Sequence, residues 1–176
     1  LGTVTVSGAA PSTISSTNGK ANHLINGTTT FDVSDATSSA ASDLVISNAL
    51  RNSSGDYGLT TGSITKSGAG TMELSGPNSY TGSTSVNAGT LAVTGSIAAS
   101  ATTVSSGATL AGTGTLAGTV NLQGILSPGT GGAGTLTINN ALTLASDSSM
   151  DWQISDWNGN AGTGYDQVIV NSATIT

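Results

Sequence analysis

A three-residue phrase, Gly-Thr-aliphatic, returns along this chain at a set interval. It stands at Gly70-Thr-Met72 and Gly89-Thr-Leu91, with Gly107-Ala-Thr-Leu110 as a near copy. Met72, Leu91 and Leu110 follow one another at nineteen residues each time. Further copies stand at Gly114-Thr-Leu116 and Gly134-Thr-Leu136. Short strand-like runs fill the chain around them, among them Val4–Val6, Leu44–Ile46, Ser63–Thr65, Thr71–Leu74, Thr84–Val86 and Thr90–Val93. Thr109–Leu110, Thr119–Leu122, Thr135–Ile138, Leu142–Leu144, Met150–Ile154 and Gln167–Val170 continue the series. Gly, Asn and Ser separate them, and no stretch holds a helical apolar period over ten residues or more. Many short strands with frequent turn signals mean an all-β chain. A fixed return at this interval belongs to a solenoid; a sandwich or a propeller does not require it.

Composition narrows the reading. Only Lys20, Arg51 and Lys66 are basic, there is no Cys, and His23 is the one His among 176 residues. Charged residues make up 7%, against about 25% in an ordinary soluble domain. Hydrophobic residues still reach 36%. They are mostly Val, Ile, Leu and Ala at regular intervals, which is not the pattern of disorder. The many Thr are β-branched and favour strands. The expected fold is all-β, a right-handed single-stranded parallel β-helix. Each coil is a flattened loop of two or three strands, paired in parallel with the next coil. Small aliphatics stack inward, Gly takes the corners, and Thr and Ser face out. Nine or so coils at about 4.8 Å each would give a rod of roughly 40 Å.

The net charge of −6 offers no basic patch to replace phosphate counterions, which excludes nucleic acid as a partner. It equally disfavours anionic membrane surfaces. No apolar run approaches the ~20 residues of a membrane helix, so direct membrane insertion of this segment is not expected. Both ends, Leu1–Val6 and Val168–Thr176, read as strands. The expectation is a piece of a longer solenoid, or copies that associate end to end through unpaired strand edges.

The segment Lys66-Ser-Gly-Ala-Gly-Thr-Met-Glu-Leu-Ser-Gly-Pro-Asn-Ser-Tyr-Thr-Gly-Ser-Thr-Ser-Val-Asn-Ala-Gly-Thr-Leu-Ala-Val93 closely resembles the passenger-associated transport repeat of autotransporters. Its fixed positions fall on Lys66, Gly68, Gly70, Thr71, Leu74, Gly76, Asn78, Tyr80, Gly82, Gly89 and Leu91. Met72 stands for a commoner Leu and Ser83 for a commoner Gly. Leu110-Ala-Gly-Thr-Gly-Thr-Leu116, Gly124-Ile-Leu-Ser-Pro-Gly129 and Tyr165-Asp-Gln-Val-Ile-Val170 are similar to phrases that follow the repeat in that family. The resemblance covers residues 59–176 and leaves 1–58 as upstream coils of one continuous solenoid. It implies a β-helical passenger region exported to the outer surface of a Gram-negative-type cell. It also implies a repeat that assists secretion and folding.

Candidate chemistry is sparse. Glycoside hydrolysis needs two carboxylates facing one sugar, and Asp147, Asp151 and Asp156 offer pairs. No Lys or Arg follows Lys66 to steer an acidic sugar, so all nine acids read as solvated turn carboxylates. His23 has no Ser or Asp set with supporting spacing and reads as a surface loop residue. Asp156-Trp-Asn-Gly-Asn-Ala-Gly opens like a calcium loop, but Ala161 and Gln167 stand where Gly and Glu are required. No catalytic residue, cofactor or metal is expected. Trp152 and Trp157 are the only Trp residues. They are candidate contacts to host or matrix glycans, or else Trp152 fills the core and Trp157 covers a loop. Asn26 and Asn52 fit the N-glycosylation pattern, and residues 155–166 read as the largest loop. The expected role is a non-catalytic structural or adhesive scaffold. The alternatives are a passenger segment promoting secretion, and a polysaccharide-binding or polysaccharide-degrading β-helix.

Overall fold

Successive side chains along a strand point to opposite faces, and in this chain the two faces differ. In Gly62–Ser67 the residues Gly62, Ile64 and Lys66 are buried while Ser63, Thr65 and Ser67 are not. A strand of this kind must lay one face on a core. A computed structural model of the chain describes residues 2–16, 22–24, 27–36, 38–39, 41–52, 54–55, 58–59 and 61–171. It shows three parallel sheets wrapped around one narrow core.

The first sheet stacks Gly2–Val6, Gly27–Val33, Gly62–Ser67, Thr84–Val86, Thr102–Val104, Val120–Leu122 and Leu142–Leu144, in chain order. The second stacks Ser12–Ile14, Leu44–Ile46, Thr71–Leu74, Thr90–Val93, Thr109–Gly112, Ile125–Pro128 and Ser149–Met150. The third stacks Pro77–Asn78, Ser96–Ile97, Thr115–Leu116, Thr135–Ile138 and Gln167–Val170. Asn22–Leu24 pairs with Leu50–Asn52 beneath it, and Ser79 N donates to Leu50 O at 2.8 Å across the join. The chain visits the three faces in turn, so each visit is one coil of a parallel β-helix. A small antiparallel hairpin, Ser54–Gly55 with Gly58–Leu59, interrupts the second coil.

The nineteen-residue interval is the coil itself. Met72 lies opposite Leu91, and Leu91 opposite Leu110. Their column runs on to Leu126. A second inward column is Phe31, Lys66, Val86, Val104 and Leu122. A third is Asn78, Ile97, Leu116 and Ile138. These apolar residues form one contiguous cluster through the whole length.

Several expectations change. The first two sheets hold seven strands each, so there are seven described coils rather than nine, and six steps of ~4.8 Å give a stack of only about 30 Å. The early coils are longer than nineteen residues, which lowers the number. Gly134-Thr-Leu136 lies in the third sheet, where Thr137, not Thr135, faces Thr115; it is not in register with Gly114-Thr-Leu116. Met150–Ile154 is strand only at Ser149–Met150. His23 lies in the strand Asn22–Leu24, not in a loop. The strand expected through Thr176 is described as far as Val170, and residues 172–176 lie outside the described residues. So do Lys20, Asn26 and Asp56.

Thr and Ser do not all face out. Ile64, Thr84, Thr102, Val120 and Leu142 form another inward column. Thr84 is satisfied by Tyr80 and Ser100, but Thr102 Oγ1 is buried with no partner. An unpaired buried hydroxyl costs free energy that an isosteric methyl does not. Thr102→Val should therefore stabilise the protein by about 1 kcal/mol, whereas Thr84→Val, which strands the Tyr80 hydroxyl, should destabilise it by about 1–3 kcal/mol. Urea unfolding midpoints check both signs.

Candidate functional site

The coil built from Gly62–Ser67, Thr71–Leu74 and Pro77–Asn78 carries the densest set of buried polar groups. Lys66 occupies an inward position between Phe31 and Val86 and is fully buried. Its stem packs in the core and its ammonium turns to the corner between the first two sheets. There Nζ donates to Ser67 O at 2.9 Å, Gly68 O at 2.8 Å and Ala88 O at 3.1 Å. An ammonium has three donors, and all three are used. Ala88 belongs to the next coil, so the charge ties two coils together. Burial pulls the Lys66 pKa down to about 8, against the milder upward pull of the Asp32 and Asp43 carboxylates.

The corner is shaped by glycines. Gly68 and Gly89 sit one above the other with φ of 76° and 63°, a region that L side chains rarely adopt. A Cβ on Gly89 would also press on the carbonyls of Gly68 and Gly70 in the coil below. Gly70, Gly76 and Gly82 have the same problem with the backbones of Ser34, Asn48 and Gly62. Coils can stack this closely at these points only without side chains.

At the next corner, Asn78 is buried and bonds three coils. Its Oδ1 accepts from Leu50 N at 2.9 Å, and its Nδ2 donates to Gly76 O at 2.9 Å and Ser96 O at 3.0 Å. At the third corner Tyr80 is fully buried. Its hydroxyl lies 2.6 Å from Thr84 Oγ1, which lies 3.0 Å from Ser100 Oγ. Ser100 Oγ donates in turn to Gly82 O. Burial raises the Tyr80 pKa well above the ordinary phenol range, with Thr84 and Ser100 opposing weakly.

Residues 64–93 match the passenger-associated-transport-repeat family. Lys66, the stacked glycines, Asn78 and Tyr80 all fall within that span. Residues 64–93 are a passenger-associated transport repeat. No curated protein and no solved structure matches the chain. The repeat explains why its residue types are needed. Thr71, Leu74 and Leu91 supply strand and core. Lys66 and Asn78 satisfy backbone carbonyls at two corners, and Tyr80 fills the third with its hydroxyl on Thr84. The five glycines permit the close approach. The repeat is thus one coil plus the first two strands of the next.

Trp152 and Trp157 are not core residues. They are 46% and 79% exposed, and both line one cleft of about 370 Å³ with Ile154 and Tyr165. The five-residue spacing does not separate them, because the loop folds back. Ile154 bridges Tyr165, and Ser155 N and Asp156 N both donate to Gly164 O, at 2.7 and 2.9 Å. Asp151 lies on the other side of the same extended segment. With Gln153 it lines a separate groove over the outer face of the second sheet. Asp156 caps its own turn, accepting from Asn158 N at 3.0 Å.

Two acids expected to be solvated are buried. Asp43 accepts from Ala36 N at 2.9 Å and Thr71 N at 2.8 Å. Asp166 accepts from Gly134 N at 2.8 Å and Gln153 N at 2.7 Å. Each stands immediately before a strand and clasps the backbone of a neighbouring coil. That shared placement, Asp flush against an aliphatic strand, was the available signal for both. Asn52 is also engaged, accepting from Gly62 N and Thr81 N. Nothing in the spacing announced Ser100 as the partner of Thr84.

Lys66 sets a pH dependence. Unfolded, its amine keeps the proton up to the ordinary 10.5, whereas folded it releases it near 8. The unfolded state binds more protons in that window, so stability rises with pH through it. Tyr80 acts oppositely from its ordinary 10.0 upward, because only the unfolded phenol ionises there. Unfolding midpoints should therefore climb from pH 8 to about 10 and then fall. In Lys66→Met the climb should vanish.

Proposed function

We propose that this chain is a non-catalytic structural length of an exported β-helical passenger, in which the repeat coil fixes the register for the coils on either side. The observation that carries this reading is the reach of its buried polar groups. Asn78 bonds to the coils both before and after its own. Lys66 and Tyr80 bind forward into the coil that follows. Asp43 binds into the repeat coil from the one before. A parallel strand slipped by one residue would turn its apolar set outward and break all of these bonds together.

Such a device suits a chain that folds outside the cell after export, where the stack must begin in the right register without help. The repeat supports a passenger-associated role and, with it, an outer-surface address. Hydroxyl-bearing outer faces and a net charge of −6 keep a long rod solvated. Asp151 lines the groove over the second sheet while Asp156 is taken up by its own turn, which favours a scaffold over a hydrolase.

Limited proteolysis of the intact protein tests this reading. Tyr80→Ala and Gly89→Val should make strands outside the repeat, such as Gly27–Val33 and Thr102–Val104, at least about tenfold more susceptible, because a loss of a few kcal/mol raises the open population by more than that. Thr103→Ala on the outer face should leave the pattern unchanged. Susceptibility confined to residues 64–93 would show a local role only. Release of reducing sugar from a polysaccharide, lost in Asp151→Asn, would replace the scaffold with an enzyme.

A further inference from the structure

The chain has six aromatic side chains: one Phe, three Tyr and two Trp. Three of the six, Trp152, Trp157 and Tyr165, meet in one open cleft with Ile154. Exposing two Trp in a chain this poor in aromatics costs solubility and contributes nothing to the core. We propose that this cleft binds an uncharged saccharide.

The cleft is a built platform. Its loop is closed by the two bonds to Gly164 O and by the Ile154 and Ala161 bridges to Tyr165. A Cβ on Gly164 would meet Asp156 O at 2.6 Å and Gly159 Cα at 2.7 Å, so the two sides of the loop are packed together. Asp166, fully buried, anchors its base to Gly134 and Gln153. An ordered loop leaves less conformational entropy to lose on binding.

Its chemistry suits a sugar. Pyranose rings present an apolar C–H face and a rim of hydroxyls. Trp and Tyr present an apolar ring and one polar handle. Among the described residues, no hydrogen bond engages either indole or the Tyr165 hydroxyl, which leaves these polar groups for a ligand to use. Charge selects the class of sugar. Asp156 adjoins Trp157 in the chain, while no Lys or Arg follows Lys66. An acidic glycan would meet repulsion with no cation to offset it; a neutral one meets neither.

The test is the Trp emission of the intact protein, since both Trp residues lie in the cleft. Titration with cellohexaose and with chitohexaose should give, for at least one of them, a saturable blue shift. Polygalacturonate should give none at the same residue concentration. Trp157→Ala removes a side chain that makes little contact, so its unfolding midpoint should not move, while affinity should fall at least about tenfold. Tyr165→Phe should weaken binding with the emission of the free protein unchanged. No saturable shift with either uncharged oligosaccharide overturns the proposal. So does equal binding of polygalacturonate. So does emission already blue-shifted and resistant to acrylamide without sugar, which would mean that protein covers the cleft.

Discussion

Backbone hydrogen bonds between one coil and the next set everything else in this molecule. Apart from the hairpin of Ser54–Gly55 and Gly58–Leu59, each described strand takes its partners from neighbouring coils. A coil alone cannot bury its apolar face; only stacking makes the columns of Met72, Leu91, Leu110 and Leu126. The core therefore exists only if the register is right along the whole stack. Because the side-chain period is two, a slip by one residue would invert a strand.

Apolar columns exclude a slip by one residue but not by two, because one Leu or Val stacks on another much as well two positions along. Buried polar groups are more exacting. Lys66 is an expensive residue to bury, and burial of a charge is poor evidence of stability. One of its three carbonyl acceptors, Ala88 O in the next coil, lies where only the native stack puts it. The same holds for the amide of Asn78 and for the Tyr80–Thr84–Ser100 hydroxyl chain. A fully satisfied network of this kind specifies one arrangement, and a half-satisfied one is worse than none. The depressed Lys66 pKa is the measurable trace of that cost.

Much of the fold was legible because it repeats. A return at nineteen residues is a physical length, one circuit of a narrow three-sided coil, and the pairing of Met72, Leu91 and Leu110 follows from it. Coil number was not legible, since the segments between Gly27–Val33 and Gly62–Ser67 carry excursions that periodicity ignores. The repeat residues were legible as a set, yet their roles were not. The burial of Lys66 carries no mark in sequence, because Phe31 and Val86, which flank it, come from other coils. Asp43 and Asp166 read as solvated acids because their partners are backbone amides of other coils, which leave no mark in sequence. For the Trp pair, glycan contact and core filling both stood open in the sequence, and the exposure of Trp152 removes the second.

Native-state hydrogen exchange on the intact protein measures most directly whether the repeat coil holds the stack in register. Amides of Gly62–Ser67, Thr71–Leu74, Thr84–Val86 and Thr90–Val93 should exchange only by global opening, with the highest protection in the chain. Protection should decline toward Gly2–Val6 on one side and Leu142–Leu144 on the other. Equal protection in all coils, or a maximum outside residues 62–93, would contradict the account.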